Sequence, residues 1–366
     1  MDLQALPDGI ASLADHERHA RASMQPAAWD YLCGAAGAGA TAAANCTAWQ
    51  SHTLLPRVLA PIAGLNTRTE LLGRRMAWPL LVAPVAFQQL AHRDAELGLA
   101  LAAAAQEAGL VLSAQAGTPM ETVADAVRND TSRGPLWFQL YWHEDRAALV
   151  ALAARAKACG YEALVLTVDS PVRTGFRVPP GLHTPNMPQA GDTPRDLQAL
   201  CAAAPTWADF EWLCANAGLP VIAKGVLHPD DALAARASGA AAVIVSNHGG
   251  RTLDGVPATA VMLPHVVDAL GGALPVLADG GIRSGADVLR ALALGARAVL
   301  VGRPAVWGLA NAGARGAAHV LRLLRDELEL AMAQCGCADL SRVSAGLLGP
   351  RRHAPFPPDF TEKEAP

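Results

Sequence analysis

The chain has 366 residues, of which 52% are hydrophobic and 17% are charged, and its formal net charge is -4. This length suits one large domain or two ordinary ones, with ample material for a core. The hydrophobic residues lie in short, interrupted runs, so no segment approaches the roughly 20 apolar residues that cross a bilayer. No block of Lys or Arg indicates a nucleic acid or an anionic membrane as a partner.

The first eight residues show no basic head followed by an apolar stretch. We therefore expect no secretory signal and a cytoplasmic location. The seven cysteines are scattered, and Cys335-Gly336-Cys337 has neither the spacing of a zinc site nor a second pair. We expect free thiols and no metal site.

Helical patterns occur at both ends of the chain. Ala11 to Ala22 and Ala27 to Leu32 should fold against the central region, and Ala317 to Gln334 should form a closing helix. We expect residues 1–350 to form a single domain. Residues 351–366 are rich in proline and charge, which predicts a loose tail.

Strand-like runs alternate with Ala-rich helical stretches through the middle of the chain. The runs are Leu80 to Ala83, Leu110 to Ser113, Leu136 to Tyr141, Ala163 to Val168, Pro220 to Lys224, Ala242 to Ser246, Pro275 to Asp279 and Ala298 to Gly302. Four of the helical stretches are Asp94 to Ala108, Asp145 to Ala158, Pro229 to Ser238 and Ser284 to Leu294. Strict alternation predicts a parallel sheet, and eight repeats predict a closed (β/α)8 TIM barrel over about residues 78–312.

Two connections carry further information. The long, proline-rich stretch between Asp169 and Thr206 follows the fourth strand, where long loops usually act as lids or contact substrate. The stretch from Gly37 to Ala42 fits the loose dinucleotide pattern G-x-G-x-x-A. It follows no strand and has no acidic residue about 20 positions later, so we interpret it as a loop.

The segment from Ser246 to Asp254, SNHGGRTLD, follows the apolar run Ala241 to Val245. It places His248 three positions before Arg251. Imidazole is the side chain best suited to accept a proton near neutral pH, and a guanidinium can bind a carboxylate through two hydrogen bonds. The segment therefore predicts a base beside a site for a carboxylate.

Two glycine-rich segments, VLADGGIRSG at 276–285 and AVLVGR at 298–303, end the last two predicted strands. Barrel enzymes keep their active sites at these strand ends and commonly hold phosphate at the last two. The predicted phosphate residues are Asp279, Gly280, Gly281, Arg283, Gly302 and Arg303.

These motifs, in this order, resemble the FMN-dependent α-hydroxy acid oxidase and dehydrogenase family, which includes glycolate-, lactate- and mandelate-oxidising enzymes. The similarity runs from about Trp29 to Ala310. It implies FMN as the cofactor, a small 2-hydroxy acid as the substrate, and a homo-oligomer, which in the family is a tetramer.

The resemblance also implies roles for individual residues. His248 would be the general base and Asp169 its partner, Arg251 would bind the substrate carboxylate, and Tyr31 and Tyr141 would contact the substrate. Further residues would hold the flavin: Lys224 at the N1–C2 edge of the ring, Ser246 in the same cofactor wall, the ring contacts Ser113, Gln139 and Thr167, and the backbone of Ala83, Pro84, Val85 and Ala86.

The chain departs from the family pattern after the fourth strand. The family's second carboxylate-binding arginine matches Arg177 only if one residue is inserted, and Arg173 is the rival. The D-x-R-N-x-F segment that usually follows is absent, and the lid loop is shorter than is usual in the family. The second carboxylate contact is therefore assigned to Arg177, with Arg173 as the alternative.

The expected activity is FMN-dependent oxidation of an L-2-hydroxy acid to the 2-oxo acid. We expect O2 to accept the electrons and form H2O2, because the short loop has no apolar segment for membrane docking. The segments from Ala83 to Gln88 and from Gln139 to Trp142 resemble the hydroxymandelate-oxidising branch and favour an aryl substrate. The alternatives are a quinone- or carrier-coupled dehydrogenase, a non-redox FMN barrel of the isopentenyl diphosphate isomerase type, and a barrel that binds FMN without turnover.

Overall fold

A computed structural model of the protein describes residues 4–172, 181–187 and 196–350. Three helices and a short antiparallel hairpin precede the central region. They are α1 (Leu13–Ser23), α2 (Pro26–Cys33), α3 (Ala40–Ser51), β1 (Thr69–Leu71) and β2 (Arg74–Met76). The sequence predicted α1 and α2, whereas α3 begins inside the stretch that we interpreted as a loop. Gly39 ends that loop with a φ of 78°, a left-handed conformation that glycine adopts readily.

Eight parallel strands follow, and they close into a barrel, which confirms the predicted fold. They are β3 (Leu80–Val82), β4 (Gly109–Ser113), β5 (Leu136–Leu140), β6 (Ala163–Thr167), β7 (Val221–Val226), β8 (Ala242–Val245), β9 (Val276–Ala278) and β10 (Ala298–Val301). β10 pairs with β3, with Val299 opposite Leu80, so the barrel has no unpaired edge.

Nine helices accompany these strands in the described part of the chain. They are α4 (Ala95–Ala105), α5 (Met120–Val127), α6 (Arg146–Cys159), α7 (Leu197–Ala202), α8 (Trp207–Asn216), α9 (Pro229–Ala237), α10 (Thr259–Leu270), α11 (Gly285–Ala293) and α12 (Arg303–Gln334). α12 contains the predicted closing helix but begins 14 residues earlier, and it is kinked at Ala312 and Gly313, which are not helical. None of the described helices combines the length and the apolar content needed to span a membrane.

Side chains along each strand alternate between the barrel interior and the surrounding helices. The interior core takes one large apolar or aromatic side chain from every strand: Leu81, Val111, Trp137, Val165, Ile222, Ile244, Leu277 and Leu300. Leu71 and Met76 of the hairpin pack against the same core. Side chains of the opposite parity, such as Phe138 and Val243, belong to the core between strands and helices.

The next inward-facing position lies two residues further along each strand. These positions hold Ala83, Ser113, Gln139, Thr167, Lys224, Ser246, Asp279 and Gly302. Six of the eight residues are polar, and all six are buried. A polar layer therefore covers the apolar interior at the carboxyl ends of the strands, the end where barrel enzymes place their active sites.

Two histidines join α1 to α12 at the edge of the barrel. His16 Nε2 lies 2.9 Å from His319 Nδ1, and the Asn311 amide donates to His16 Nδ1 at 3.0 Å. Because Nδ1 of His16 accepts this bond, the proton of its neutral ring lies on Nε2 and points to His319. Burial, together with the nearby His319, lowers the pKa of His16 from 6.5 to about 4.

We predict that the protein loses stability as the pH falls from 6.5 towards 4. The pKa of His16 is lower in the folded protein than in the unfolded chain. Between pH 6.5 and pH 4 the unfolded chain therefore binds a proton that the folded protein does not, and this lowers the free energy of unfolding. Above pH 6.5 His16 is neutral in both states, and the stability is retained in full. His16→Gln should weaken the pH dependence of the thermal midpoint between pH 7 and pH 4. His265→Gln, at an exposed position of α10, should preserve it. An unaltered pH dependence in His16→Gln would refute the assignment.

Candidate active site

One cavity of about 320 Å³ at the carboxyl ends of the barrel strands brings the predicted site residues together. It is lined by Tyr31, Ala83, Pro84, Val85, Ala86, Ser113, Gln139, Tyr141, Thr167, Asp169, Lys224, His248, Arg251, Asp279, Gly280, Gly281, Arg283, Gly302 and Arg303. Ser246 is fully buried and does not line the cavity. Arg177 and its rival Arg173 lie outside the described residues.

His248 and Asp169 form a pair across the cavity. Nδ1 of His248 lies 2.9 Å from Oδ1 of Asp169, which leaves Nε2 as the other ring nitrogen that can exchange a proton. The backbone of His248 is left-handed, with a φ of 57°. This conformation is uncommon for a residue with a side chain and is often found at functional sites.

Lys224 is a buried cation at the end of β7, with its side chain 5% exposed. Its Nζ lies 3.2 Å from Oδ2 of Asp279 and donates to Oγ of Ser246 at 3.1 Å. Burial alone would lower the pKa of Lys224, but the carboxylates of Asp279 and Asp169 outweigh burial and raise it. Lys224 is therefore charged at neutral pH, in a layer where an unpaired charge would be costly.

Ser246 connects this cation to the base. Its Oγ accepts hydrogen bonds from Nζ of Lys224 at 3.1 Å and from the backbone N–H of His248 at 3.1 Å. The predicted position of Ser246 in the cofactor wall stays a prediction. The hydroxyl lies behind the lining and holds two residues that form it.

A row of polar side chains crosses three neighbouring strands. The Ser113 hydroxyl donates to Oε1 of Gln139 at 3.1 Å, and Nε2 of Gln139 donates to Oγ1 of Thr167 at 3.0 Å. Both atoms of the Gln139 amide are therefore engaged, which fixes the orientation of the amide plane. The cavity wall on this side has a defined order of donors and acceptors.

The carboxyl end of α2 holds two of the cavity's arginines. The Arg251 guanidinium donates to the backbone carbonyls of Tyr31 at 2.6 Å, Leu32 at 3.2 Å and Gly34 at 3.1 Å. Arg303 donates to the same carbonyl of Gly34 at 2.8 Å. Cations are favourable at this end of a helix because its last carbonyls carry partial negative charge. α2 therefore fixes where both guanidinium groups lie.

Arg251, Arg283 and Arg303 concentrate positive charge at one side of the cavity. Burial, together with Arg251 and Arg283, lowers the pKa of Arg303 to about 10. Arg283 stacks over the ring of Trp307 with its guanidinium carbon 4.8 Å from the ring centre. Among the described residues no carboxylate pairs with Arg283 or Arg303, and the buried Nε of Arg303 has no hydrogen-bond partner. α12 also begins at Arg303, so its N-terminal backbone adds to a site suited to an anion.

The cavity also contains residues that the sequence did not assign. These are Leu32, Gln115, Ser170, Val172, Gly249, Thr252, Leu253, Ile282, Leu300 and Val301. Most directly adjoin an assigned residue, so including the neighbours of each motif would have found them. Gln115 could have been found as the residue two positions beyond an inward-facing serine. Leu32 is one of these neighbours, because it follows the assigned Tyr31 in α2.

Comparison with known proteins agrees with this geometry. Residues 20–350 match the model of a family described as FMN-dependent dehydrogenase. The chain belongs to this family. The recognition made from the motifs is confirmed, and so is the cofactor, FMN.

Relatives match along almost their whole length. An L-lactate oxidase of Roseobacter sp. (strain GAI101) is 45% identical, with 93% of this chain and 96% of the relative covered. A 4-hydroxymandelate oxidase of Amycolatopsis orientalis is 41% identical, with 89% and 94% covered. A solved structure of a mandelate oxidase mutant with (S)-mandelic acid has a TM-score of 0.83 at 39% identity, covering 92% of this chain and 97% of that one.

The chain's own residues fit FMN. The unpartnered Nε of Arg303 and the arginines without carboxylate partners suit a phosphate group, which supplies several acceptor oxygens. The fixed amide of Gln139 and the charged Lys224 suit the polar edge of a flavin ring. Oδ1 of Asp279 is buried and has no hydrogen-bond partner in the described structure. Buried polar atoms are normally hydrogen-bonded, so this oxygen also indicates a polar ligand in the cavity.

We predict that Arg303→Gln weakens FMN binding by about tenfold or more, the usual scale for losing a hydrogen bond to a charged group. The apoprotein should be titrated with FMN and the quenching of flavin fluorescence followed. Arg297→Gln is a matched control, because Arg297 immediately precedes β10 and donates to the carbonyl of Glu70 outside the cavity. Equal FMN dissociation constants for the two variants would contradict the assignment.

Proposed function

We propose that this protein is an FMN-dependent oxidase that converts an L-2-hydroxy acid into the corresponding 2-oxo acid. The observation that carries this proposal is the hydrogen-bonded pair of His248 and Asp169 in one cavity with Arg251 and Lys224. The reaction needs a base, a cation for the carboxylate and an electron acceptor, and only the acceptor must come from a cofactor.

His248 is the proposed general base. Its Nδ1 is held by Asp169, so Nε2 takes the proton that leaves the substrate. The negative charge of Asp169 stabilises the imidazolium that results, which makes the proton transfer more favourable.

Arg251 is the proposed carboxylate-binding residue, and Tyr31 and Tyr141 are proposed to contact the substrate beside it. Three backbone carbonyls fix the Arg251 guanidinium, so the substrate carboxylate meets a cation whose orientation is already set. Arg177 remains the proposed second carboxylate contact and Arg173 its alternative.

Bound FMN supplies the acceptor for the two electrons that leave the substrate. We assign its phosphate to Arg283, Arg303 and the backbone of Gly280, Gly281 and Gly302. We assign its ring to Lys224, to the backbone of Ala83, Pro84, Val85 and Ala86, and to the row formed by Ser113, Gln139 and Thr167. Asp279 and Ser246 support Lys224, whose positive charge favours added negative charge on the neighbouring ring.

O2 is the proposed final acceptor: it takes the two electrons and two protons that the substrate loses and becomes H2O2. Within the 2-hydroxy acids we propose an aryl substrate such as mandelate. The apolar side chains of Leu32, Val172 and Leu253 line the cavity in addition to its charged groups, which favours an apolar substituent on the α-carbon.

The remaining sequence-based proposals concern the whole protein. We propose that residues 1–350 act as a single domain, that the protein functions in the cytoplasm, and that it is a homo-oligomer, a tetramer as in its family. Gel filtration with light scattering tests the last of these.

Anaerobic mixing with (S)-mandelate, L-lactate and glycolate tests the activity. We expect at least one acid to bleach the flavin absorbance, with mandelate reducing it fastest, and air to restore the colour with release of H2O2. Recovery with a quinone but not with O2 would favour the carrier-coupled dehydrogenase. A flavin that none of the three acids bleaches would overturn the proposal and favour the non-redox FMN barrel.

We predict that the His248→Ala variant still binds FMN. The substrate should reduce this FMN at least about a hundredfold more slowly than in the wild type, which is the usual scale of general acid–base catalysis. Stopped-flow absorbance under anaerobic conditions measures the rate. His265→Ala, at an exposed position of α10, provides the matched control and should reduce at the wild-type rate. A His248→Ala protein with near-normal reduction would remove His248 from the role of base.

A further inference from the structure

Two buried asparagines form a reciprocal pair behind the candidate active site. Asn45 of α3 donates through Nδ2 to Oδ1 of Asn247 at 2.8 Å, and Asn247 donates through Nδ2 to Oδ1 of Asn45 at 2.8 Å. Asn247 immediately precedes His248, and neither amide lines the cavity. Asn45 is 1% and Asn247 is 2% exposed, so water cannot replace either amide as the hydrogen-bond partner of the other.

The Asn247 amide braces the turn that carries His248. Its Oδ1 accepts the backbone N–H of Gly250 at 3.2 Å, and its Nδ2 donates to the carbonyl of Pro257 at 3.1 Å. The first of these bonds closes a loop around His248 and Gly249. Residues 248–250 are all left-handed, with φ values of 57°, 65° and 74°. This side chain thus stabilises an uncommon backbone conformation at the proposed base.

Asn45 is in turn held by its surroundings. Its Oδ1 also accepts the backbone N–H of Thr259 at 3.2 Å. Trp49, one turn further along α3, donates to the carbonyl of Gly280 at 2.7 Å. Asp254 accepts the backbone N–H of Thr41 at 2.8 Å at the start of the same helix. α3 is therefore fixed at both ends against the loops that follow β8 and β9.

The close approach of these loops to α3 requires glycine at two positions. A Cβ at Gly250 would lie 2.6 Å from the backbone nitrogen of Ala42, and a Cβ at Gly281 would lie 2.1 Å from the carbonyl oxygen of Asn45. Both distances are too short for a side chain. The backbone of α3 therefore packs directly against the turn of His248 and against the glycine-rich segment after β9.

We propose that Asn45 is a positioning residue for the base. By holding the amide of Asn247, it keeps the turn at residues 247–250 in the conformation that places Nδ1 of His248 on Asp169. Asn45 does not line the cavity, and its effect on His248 passes through the amide of Asn247. The inference rests on the proposed function, because it concerns the geometry of the proposed base.

Asn45→Ala tests this role. We expect the limiting rate of anaerobic flavin reduction to fall at least about tenfold, because small misplacements of a catalytic group cost large factors in rate. FMN affinity should change less than the reduction rate, because Asn45 packs on Gly281 of the proposed phosphate site through its backbone carbonyl, which alanine retains. A wild-type reduction rate in Asn45→Ala would overturn the proposal.

Asn311→Ala is the matched control for lost stability. Asn311 also joins two separate elements through its amide, because it donates to Nδ1 and to the backbone carbonyl of His16 across the junction of α1 and α12. It lies outside the cavity lining. Asn311→Ala should lower the thermal midpoint without slowing reduction. A similar slowing in both variants would reduce the role of Asn45 to general stability.

A double-mutant cycle tests the route of the effect. If Asn45 acts only through Asn247, Asn45→Ala combined with Asn247→Ala should be no slower than Asn247→Ala alone, because residues in one hydrogen-bonded unit are not additive. Independent, multiplied losses in the double variant would show a different route and would overturn the proposal.

Hydrogen exchange separates this inference from the activity itself. Amide exchange in the peptide that covers residues 247–256 should be faster in Asn45→Ala than in the wild type, and Asn311→Ala should leave it unchanged. If the wild type reduces none of the three acids, the proposed function fails while this measurement still reports on the turn. Unchanged exchange in Asn45→Ala would show that Asn45 does not hold it.

Discussion

In a closed barrel, every inward-facing side chain points towards the barrel axis. Because β10 pairs with β3, every second residue of each strand enters one shared interior, and residues at the same height form a layer. The layer from Leu81 to Leu300 is apolar and fills the barrel. The next layer contains a lysine, and its buried charge requires Asp279 and Ser246 as partners. The polarity of the cavity follows from this single change between adjacent layers.

Two helices outside the barrel, α2 and α3, hold groups that the barrel contributes to the cavity. α2 presents its last carbonyls to Arg251 and Arg303, and α3 presents Asn45 to the turn that precedes Arg251. The strand ends thus supply the chemical groups, while the N-terminal helices fix the orientation of several of them. α2 and α3 therefore belong to the candidate active site together with the barrel, although they contribute few side chains to its lining.

Much of this arrangement could be predicted from the sequence, and the reason is physical. Strand periodicity of two places Ser113, Gln139, Thr167 and Asp279 on the inward face, so their positions follow once the strands are recognised. α3 was missed because its alanine- and glycine-rich start has no apolar stripe, and the loose dinucleotide pattern drew attention to a loop.

Contacts between distant segments were the part that sequence could not provide. The bonds from Arg251 to Leu32 and from Asn45 to Asn247 join residues about 200 positions apart, and no local pattern encodes them. The hydrogen bond that Ser246 accepts from Lys224 likewise joins two neighbouring strands and has no signature in the local sequence. The alternation along a strand gives the direction of a side chain, but not which groups the side chain contacts.

The three arginines have a consequence for the apoprotein. Like charges confined in a shared, poorly solvated space repel one another, and the lowered pKa of Arg303 registers that repulsion together with burial. An anion that enters this space relieves the repulsion in the folded state alone, so its binding energy adds directly to folding stability. The folded fraction of the protein thereby becomes coupled to the supply of flavin nucleotide, and a cell short of flavin would hold less of the folded protein as well as less of the active one.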